Sequence, residues 1–174
     1  MTIEEQQLAD YMQHYGDDIL RLCYTYVHNW QTAEDLTQDT FIKVYKYAHS
    51  YRGEATMKTY IYRVAINVCN SYVQSWKFKK TVVTNSFQKM LTAKQSVERT
   101  IVARDEAEIL VQAIEQLKPK YKDVLLLYYY ADMPIQQVSE ALELPVNTVK
   151  TRLSRARQAL KEQLLKGGND YAFD

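Results

Sequence analysis

The stretch PIQQVSEALELPVNTVKTRLSRARQAL, Pro134 to Leu160, decides the fold of this chain. Val138, Ala141 and Leu142 share one face of a short helix, and Val149, Leu153, Ala156 and Leu160 recur at helical spacing on a second. Between them Glu143, Leu144 and Pro145 form a tight turn, because Pro145 disfavours helix at Leu144 and accepts only a helix start after itself. Two helices joined in this way make a helix-turn-helix. From Pro145 to Lys161 the second helix carries Lys150, Arg152, Arg155, Arg157 and Lys161 and no acid, interleaved with Asn147, Thr148, Thr151 and Ser154. Lysine and arginine match guanine edges in a major groove, and short polar side chains hold phosphates. The same shape also serves as a plain packing unit with a solvated basic face, so the motif favours DNA binding without proving it.

Outward from this motif, the 174 residues are enough for one domain or two small ones. Four Gly and three Pro are few, which fits an all-α fold. The net charge of +1 gives no argument for a polyanionic partner, but its distribution does. Arg63 to Lys80 contains basic residues and no acid, as does Pro145 to Lys161, so two separated basic faces sit on near-neutral modules. Cys23 and Cys69 lie far apart in the sequence with no second ligand nearby, and are expected to be small buried side chains without a zinc site or a disulfide. Glu4, Glu5 and Asp10 stand where a signal peptide would be apolar, and no run approaches a membrane span, so a cytoplasmic location without membrane insertion is expected.

Toward the N-terminus, Leu8, Tyr11, Met12 and Tyr15 predict one helical face, and Ile19, Leu22, Cys23, Tyr26 and Val27 a second after Gly16. A third helix is expected to start near Thr32, capped by its hydroxyl, with Ala33, Leu36, Val44 and Ala48 inward. Its other face carries Asp35, Gln38, Asp39, Ile42, Lys43 and Lys46, and exposed Ile42 among charges points to a protein partner. After the loop Ser50 to Ala55, a long helix from about Thr56 to Lys79 buries Ile61, Val64, Ala65, Val68 and Tyr72. Its opposite side aligns Arg63, Asn67, Asn70, Gln74 and Lys77 in one polar stripe. Tyr60, Tyr62, Trp76 and Phe78 interleave with it, either as core or as platforms for unpaired bases, each stack worth about 1–3 kcal/mol.

Thr81 to Ser96 lacks periodicity and reads as a linker, which sets three parts: a helical module at 1–80, a linker at 81–96 and a helix-turn-helix module at 97–174. In the last, helix is expected from about Val97 through Leu110, Ile114 and Leu117, a break at Lys118-Pro119, and a helix with Val124, Leu125 and Tyr128 under the motif. No glycine-rich phosphate loop, HExxH pattern or supported Ser-His-Asp series is present, so a non-enzyme with no cofactor and no metal is expected.

Two segments carry a resemblance. AEDLTQDTFIKVYKYAHSYRGEATMKTYIYRVAINVCNSYV, within residues 31–80, resembles the second region of bacterial sigma factors. LKPKYKDVLLLYYY followed by the helix-turn-helix resembles the fourth, and the short linker makes the chain similar to the extracytoplasmic-function subgroup. The resemblance implies a subunit that binds core RNA polymerase and promoter DNA, with an anti-sigma factor as a candidate further partner. It implies that Asp35, Gln38, Asp39, Ile42 and Lys43 dock on polymerase. Tyr51, the loop after it, Arg63, Asn67, Asn70, Gln74 and Lys77 would take the −10 element, with a base flipped from the non-template strand at a cost of a few kcal/mol. Lys150, Thr151, Ser154 and Arg155 would read the −35 duplex, with Thr148, Arg152 and Arg157 on phosphates. Met57 and Tyr60 depart from the aromatic residue and the Trp usual in the family.

Two other readings have distinct signatures. A stand-alone helix-turn-helix regulator would bind duplex unaided and have no use for the stripe from Arg63 to Lys77. A helical adaptor, its basic helix serving an acidic protein, would show no salt-dependent affinity for DNA.

Overall fold

The computed structural model describes residues 5–48, 55–83 and 106–166, and among these it contains helices and no strand. The first module is α1 (Glu5–Val27), α2 (Trp30–Lys46) and α3 (Met57–Val83). The second is α4 (Glu106–Glu115), α5 (Pro119–Leu125) with a π-helical turn at Leu126–Tyr130, α6 (Ile135–Leu142) and α7 (Val146–Lys166).

The sequence divides α1 at Gly16, but the helix runs through it. One glycine costs a helix interior only about 1 kcal/mol, and Ile19, Leu22, Cys23 and Tyr26 are buried beyond it. A Cβ built on Gly16 meets nothing within 4 Å. Gly16→Ala is therefore expected to stabilise the chain by about 0.5–1 kcal/mol, read as a higher urea midpoint at unchanged slope. After α1, His28 at φ 50 reverses the chain. Asn29, not Thr32, caps α2: its side-chain oxygen accepts from the Thr32 amide at 2.8 Å. The helix thus starts three residues earlier than a Thr32 cap implies. Ala33, Leu36, Val44 and Ala48 are buried as expected.

Helix α3 buries Ile61, Ala65 and Val68 as the pattern requires, whereas Tyr72 is 37% exposed. Tyr62 is 1% and Tyr60 9% exposed, so both rings are core and not platforms for bases, and burial pushes the Tyr62 hydroxyl well above the usual phenol range. Thr81–Val83, assigned to the linker from composition, are the last residues of α3. Cys23 on α1 and Cys69 on α3, distant in sequence, meet in the core with their Sγ atoms 3.5 Å apart, both as free thiols.

In the second module Lys118 is extended and Pro119 takes the first helical position, where its missing N–H costs nothing. Leu110 faces solvent, and Ala113 and Leu117 are the buried residues of that segment. Val124, Leu127, Val138, Val149 and Leu153 form the centre of this module. The helix-turn-helix closes through Glu143, left-handed at φ 54, and the Glu143 and Leu144 amides both donate to the Ser139 carbonyl. That places α7 immediately after the Pro145 turn, as the sequence requires. The remainder of the expected linker, 84–96, and the expected helix start near Val97 lie outside the described residues.

Candidate nucleic-acid interfaces

Helix α7 faces two ways. Val149, Leu153 and Ala156 are buried, which turns Lys150, Thr151, Ser154 and Arg155 outward together as one exposed polar and basic patch. Thr148 and Arg152 are half-buried at its edges. The Thr151 hydroxyl donates to the Asn147 carbonyl at 2.9 Å, leaving oxygen lone pairs toward solvent. Arg157 is held by its own module: Nε donates to the Tyr129 hydroxyl at 2.7 Å, and the guanidinium lies 5.8 and 5.6 Å from the Tyr128 and Tyr129 ring centres. This pre-orients a cation at the rim of the patch.

The polar stripe of α3 is placed differently from the way its sequence implies. Asn67 and Gln74 are exposed, but Arg63 and Asn70 are half-buried because the second module packs over them. Arg63 donates through Nη2 to the Glu140 carbonyl at 2.6 Å and through Nη1 to Glu143 Oε1 at 3.2 Å, while its Nε is buried without a partner. Asn70 Nδ2 donates to Asp123 Oδ2 at 3.0 Å, and the Tyr26 hydroxyl donates to Asp123 Oδ1 at 2.6 Å. Burial raises the Asp123 carboxyl above its usual range, although Tyr26, Asn70, Lys122 and Arg152 all favour its charged form. Lys122 completes the cluster, its ammonium 5.2 Å from the Tyr26 ring centre and 3.4 Å from the Thr25 carbonyl. Lys58 donates to the Ala131 carbonyl and Tyr130 to the Asp18 carbonyl, both across the same seam. At one side the seam leaves a cavity of about 490 Å³, lined by Tyr26, His28, Asn70, Trp76, Glu115 and Lys122 among others. Tyr51, and the side chain of Lys77, lie outside the described residues.

Elsewhere on the first module, Asp35, Gln38, Asp39, Ile42 and Lys43 are all exposed on α2, with Ile42 at 60%. They share one face because α2 turns Ala33, Leu36, Thr40 and Val44 to the core. A large apolar side chain ringed by charges and amides suits a protein partner better than a nucleic acid.

Sequence reasoning missed Asp123, Tyr26 and Lys58. Tyr26 reads as ordinary core, and Asp123 lies in a helix whose other signals are apolar. The available clue was an acid directly before the buried pair Val124 and Leu125, too common a pattern to mark a contact across modules. Among the described residues no group of three metal-ligating side chains is gathered and no helix is long and apolar enough to cross a membrane.

The family model for sigma-70 region 2 matches residues 11–77, and that for sigma-70 region 4 matches residues 107–160. The chain is 29% identical to the ECF RNA polymerase sigma factor SigW of Bacillus subtilis, over 92% of this chain and 90% of that protein. It is also 29% identical to SigM of the same organism, over 98% and 99% of the two chains. Among solved structures, CnrH in complex with the cytosolic domain of CnrY matches at a TM-score of 0.68 and 14% identity, covering 95% of this chain and 92% of that one. The sigma factor RpoE in complex with the anti-sigma factor NepR from Bartonella quintana matches at 0.64 and 18%, covering 89% and 96%. At such identities these two likenesses concern the fold.

Proposed function

Since the chain belongs to the extracytoplasmic-function group of the sigma-70 family of sigma factors, we propose that its two helical modules divide promoter recognition between them. It is a sigma factor that binds core RNA polymerase and directs initiation at promoters. In our reading the first module, 1–80 extended to the end of α3, takes polymerase on α2 and the −10 element on α3. The second, 97–174, reads the −35 element through α7, and the segment between them is the linker. The protein contributes binding and placement in the cytoplasm and leaves the chemistry to polymerase.

The observation that carries this reading is the pairing, in one chain and in this order, of an acidic and apolar protein-docking face on α2 with a basic duplex-reading face on α7. Asp35, Gln38, Asp39, Ile42 and Lys43 are assigned to polymerase. Arg63, Asn67, Asn70, Gln74, Lys77 and Tyr51 are assigned to the −10 element. Lys150, Thr151, Ser154 and Arg155 are assigned to −35 bases, with Thr148, Arg152 and Arg157 on the backbone.

The test is transcription in vitro with core polymerase and a genomic template library. New start sites sharing two upstream elements are expected when the protein is added; an unchanged set of starts rejects the reading. Asp39→Lys is expected to leave helicity and Tm in place, since Asp39 is exposed, while lowering affinity for core at least about tenfold, as like-charge juxtaposition at a docked face costs several kcal/mol. Pull-down of undiminished core by this variant would remove α2 from the interface.

A further inference from the structure

We infer that Cys23 and Cys69 are a modification site: a dithiol that a small peroxide oxidises to a disulfide joining α1 to α3. The site does not depend on which promoter element either module reads.

Either cysteine alone is an ordinary small core side chain. The chain has two, 46 positions apart, and packing brings them together with Sγ atoms 3.5 Å apart, both at 0% exposure and both free thiols. A disulfide needs the sulfurs about 1.5 Å closer, which side-chain rotation and a slight shift between two packed helices supply. The two sulfurs are unlike. The hydrogen bond from Cys69, and another from Thr37, favour the Cys23 thiolate against burial, whereas the same contact with Cys23, together with burial, pushes the Cys69 thiol up. Cys23 is thus the attacking sulfur, and Cys69 keeps its proton for the second step.

Burial selects the oxidant. Both thiols belong to the apolar core cluster, which has no room for a bulky disulfide such as oxidised glutathione. A polar cavity of about 490 Å³ nevertheless lies close by: Asn70, next after Cys69, and Tyr26, one turn after Cys23, both line it. Lys122, a third lining residue, is near enough to favour the Cys69 thiolate electrostatically. Water and water-sized hydrogen peroxide can therefore come within one side chain of the pair. The Cys23 thiolate attacks one peroxide oxygen and the O–O bond breaks. The hydroxide released takes up the proton that Cys23 had lost, giving water and a Cys23 sulfenic acid. Cys69 Sγ then attacks Cys23 Sγ, the S–O bond breaks, and the hydroxide leaves with the Cys69 proton as a second water. The sulfur pair thereby gives two electrons to one hydrogen peroxide. Contact between the sulfurs makes the second step intramolecular, so the sulfenic acid is captured before another peroxide reaches it. The product closes a covalent loop around the whole of α2, which restricts the unfolded chain and firms the first module while oxidant is present. A thiol reductant reverses the bond by exchange.

The full-length chain, without denaturant, tests this. Hydrogen peroxide is the probe and glutathione disulfide the bulky control; remaining thiols are blocked with N-ethylmaleimide and the chain is cut with trypsin. Expected is a linked pair of peptides, residues 22–43 with 64–77, two hydrogens lighter than their sum and absent after reduction. It should form at least about tenfold faster with peroxide than with glutathione disulfide at equal concentration, and the oxidised chain should melt about 5–10 °C above the reduced one. Cys69→Ser should hold Cys23 as a sulfenic acid that dimedone labels, and Cys23→Ser should leave Cys69 unlabelled; the wild-type result stands even where a variant unfolds. Separate sulfinic acids, a disulfide between two chains, or intact thiols at a peroxide level that oxidises the urea-unfolded chain would each overturn the site. Linkage as fast with glutathione disulfide overturns the selection by burial, an unchanged or lower melting point overturns the stabilising role, and labelling of Cys69 alone overturns the order of attack.

Discussion

Leu153→Ala is expected to destabilise the second module by about 2–5 kcal/mol, the cost of removing a buried leucine and leaving its cavity. Leu153 is 2% exposed and lies on the face of α7 that meets the rest of the module, beside Val149 and Ala156 at 0%. A whole domain is stable by only about 5–15 kcal/mol, so this one truncation removes a large share of what keeps α7 in place. Urea unfolding followed by helicity is expected to show an early transition for the second module. Duplex binding should fail at temperatures where that transition has begun and recover on cooling. Arg155→Ala, two residues on and exposed, should shift the same transition by no more than about 0.5 kcal/mol. Equal loss of stability in the two variants would mean that α7 has been assigned the wrong buried face.

The contrast shows what was legible in the sequence. Where one element meets its own module, period and punctuation suffice: Pro145 and the spacing of Val149, Leu153 and Ala156 fix α7 and its outward face, and Ala33, Leu36, Val44 and Ala48 do the same for α2. Boundaries that hang on a single weak residue were not legible. Gly16 reads as a break, but the burial of Ile19 and Leu22 outweighs its propensity, and the Asn29 cap beside left-handed His28 takes precedence over Thr32. Aromatic residues were the other ambiguity. Tyr60 and Tyr62 alternate with Arg63 in sequence, yet the helical period carries them into the core while Arg63 stays at the rim. Contacts between distant segments left no periodic trace at all. Nothing local announces that Cys23 meets Cys69 or that Asp123 receives Tyr26 and Asn70, because each is compatible with its own helix and is chosen only by how the helices pack.

Arg155→Ala is expected to cost about 1–3 kcal/mol of −35 discrimination, roughly a five- to 150-fold loss against an unrelated duplex, and Lys150→Ala a similar amount. Both positions lie on the exposed patch of α7, Lys150 one turn before Ser154 and Arg155 one turn after Thr151, and the native packing gives neither a structural duty that truncation would disturb. Arg157 provides the internal control. Its guanidinium is tied to the Tyr129 hydroxyl and set against two rings at the rim, a position suited to a phosphate. Arg157→Ala should therefore weaken all duplexes alike and flatten the salt dependence by about one counterion, whereas Arg155→Ala should do so chiefly for the cognate site. Footprinting and salt titration of the polymerase complex separate the two patterns. Unchanged −35 protection in both Lys150→Ala and Arg155→Ala would move base reading off this face of α7. A sequence-independent loss in Arg155→Ala would instead make it another backbone contact, leaving Lys150, Thr151 and Ser154 to carry the specificity.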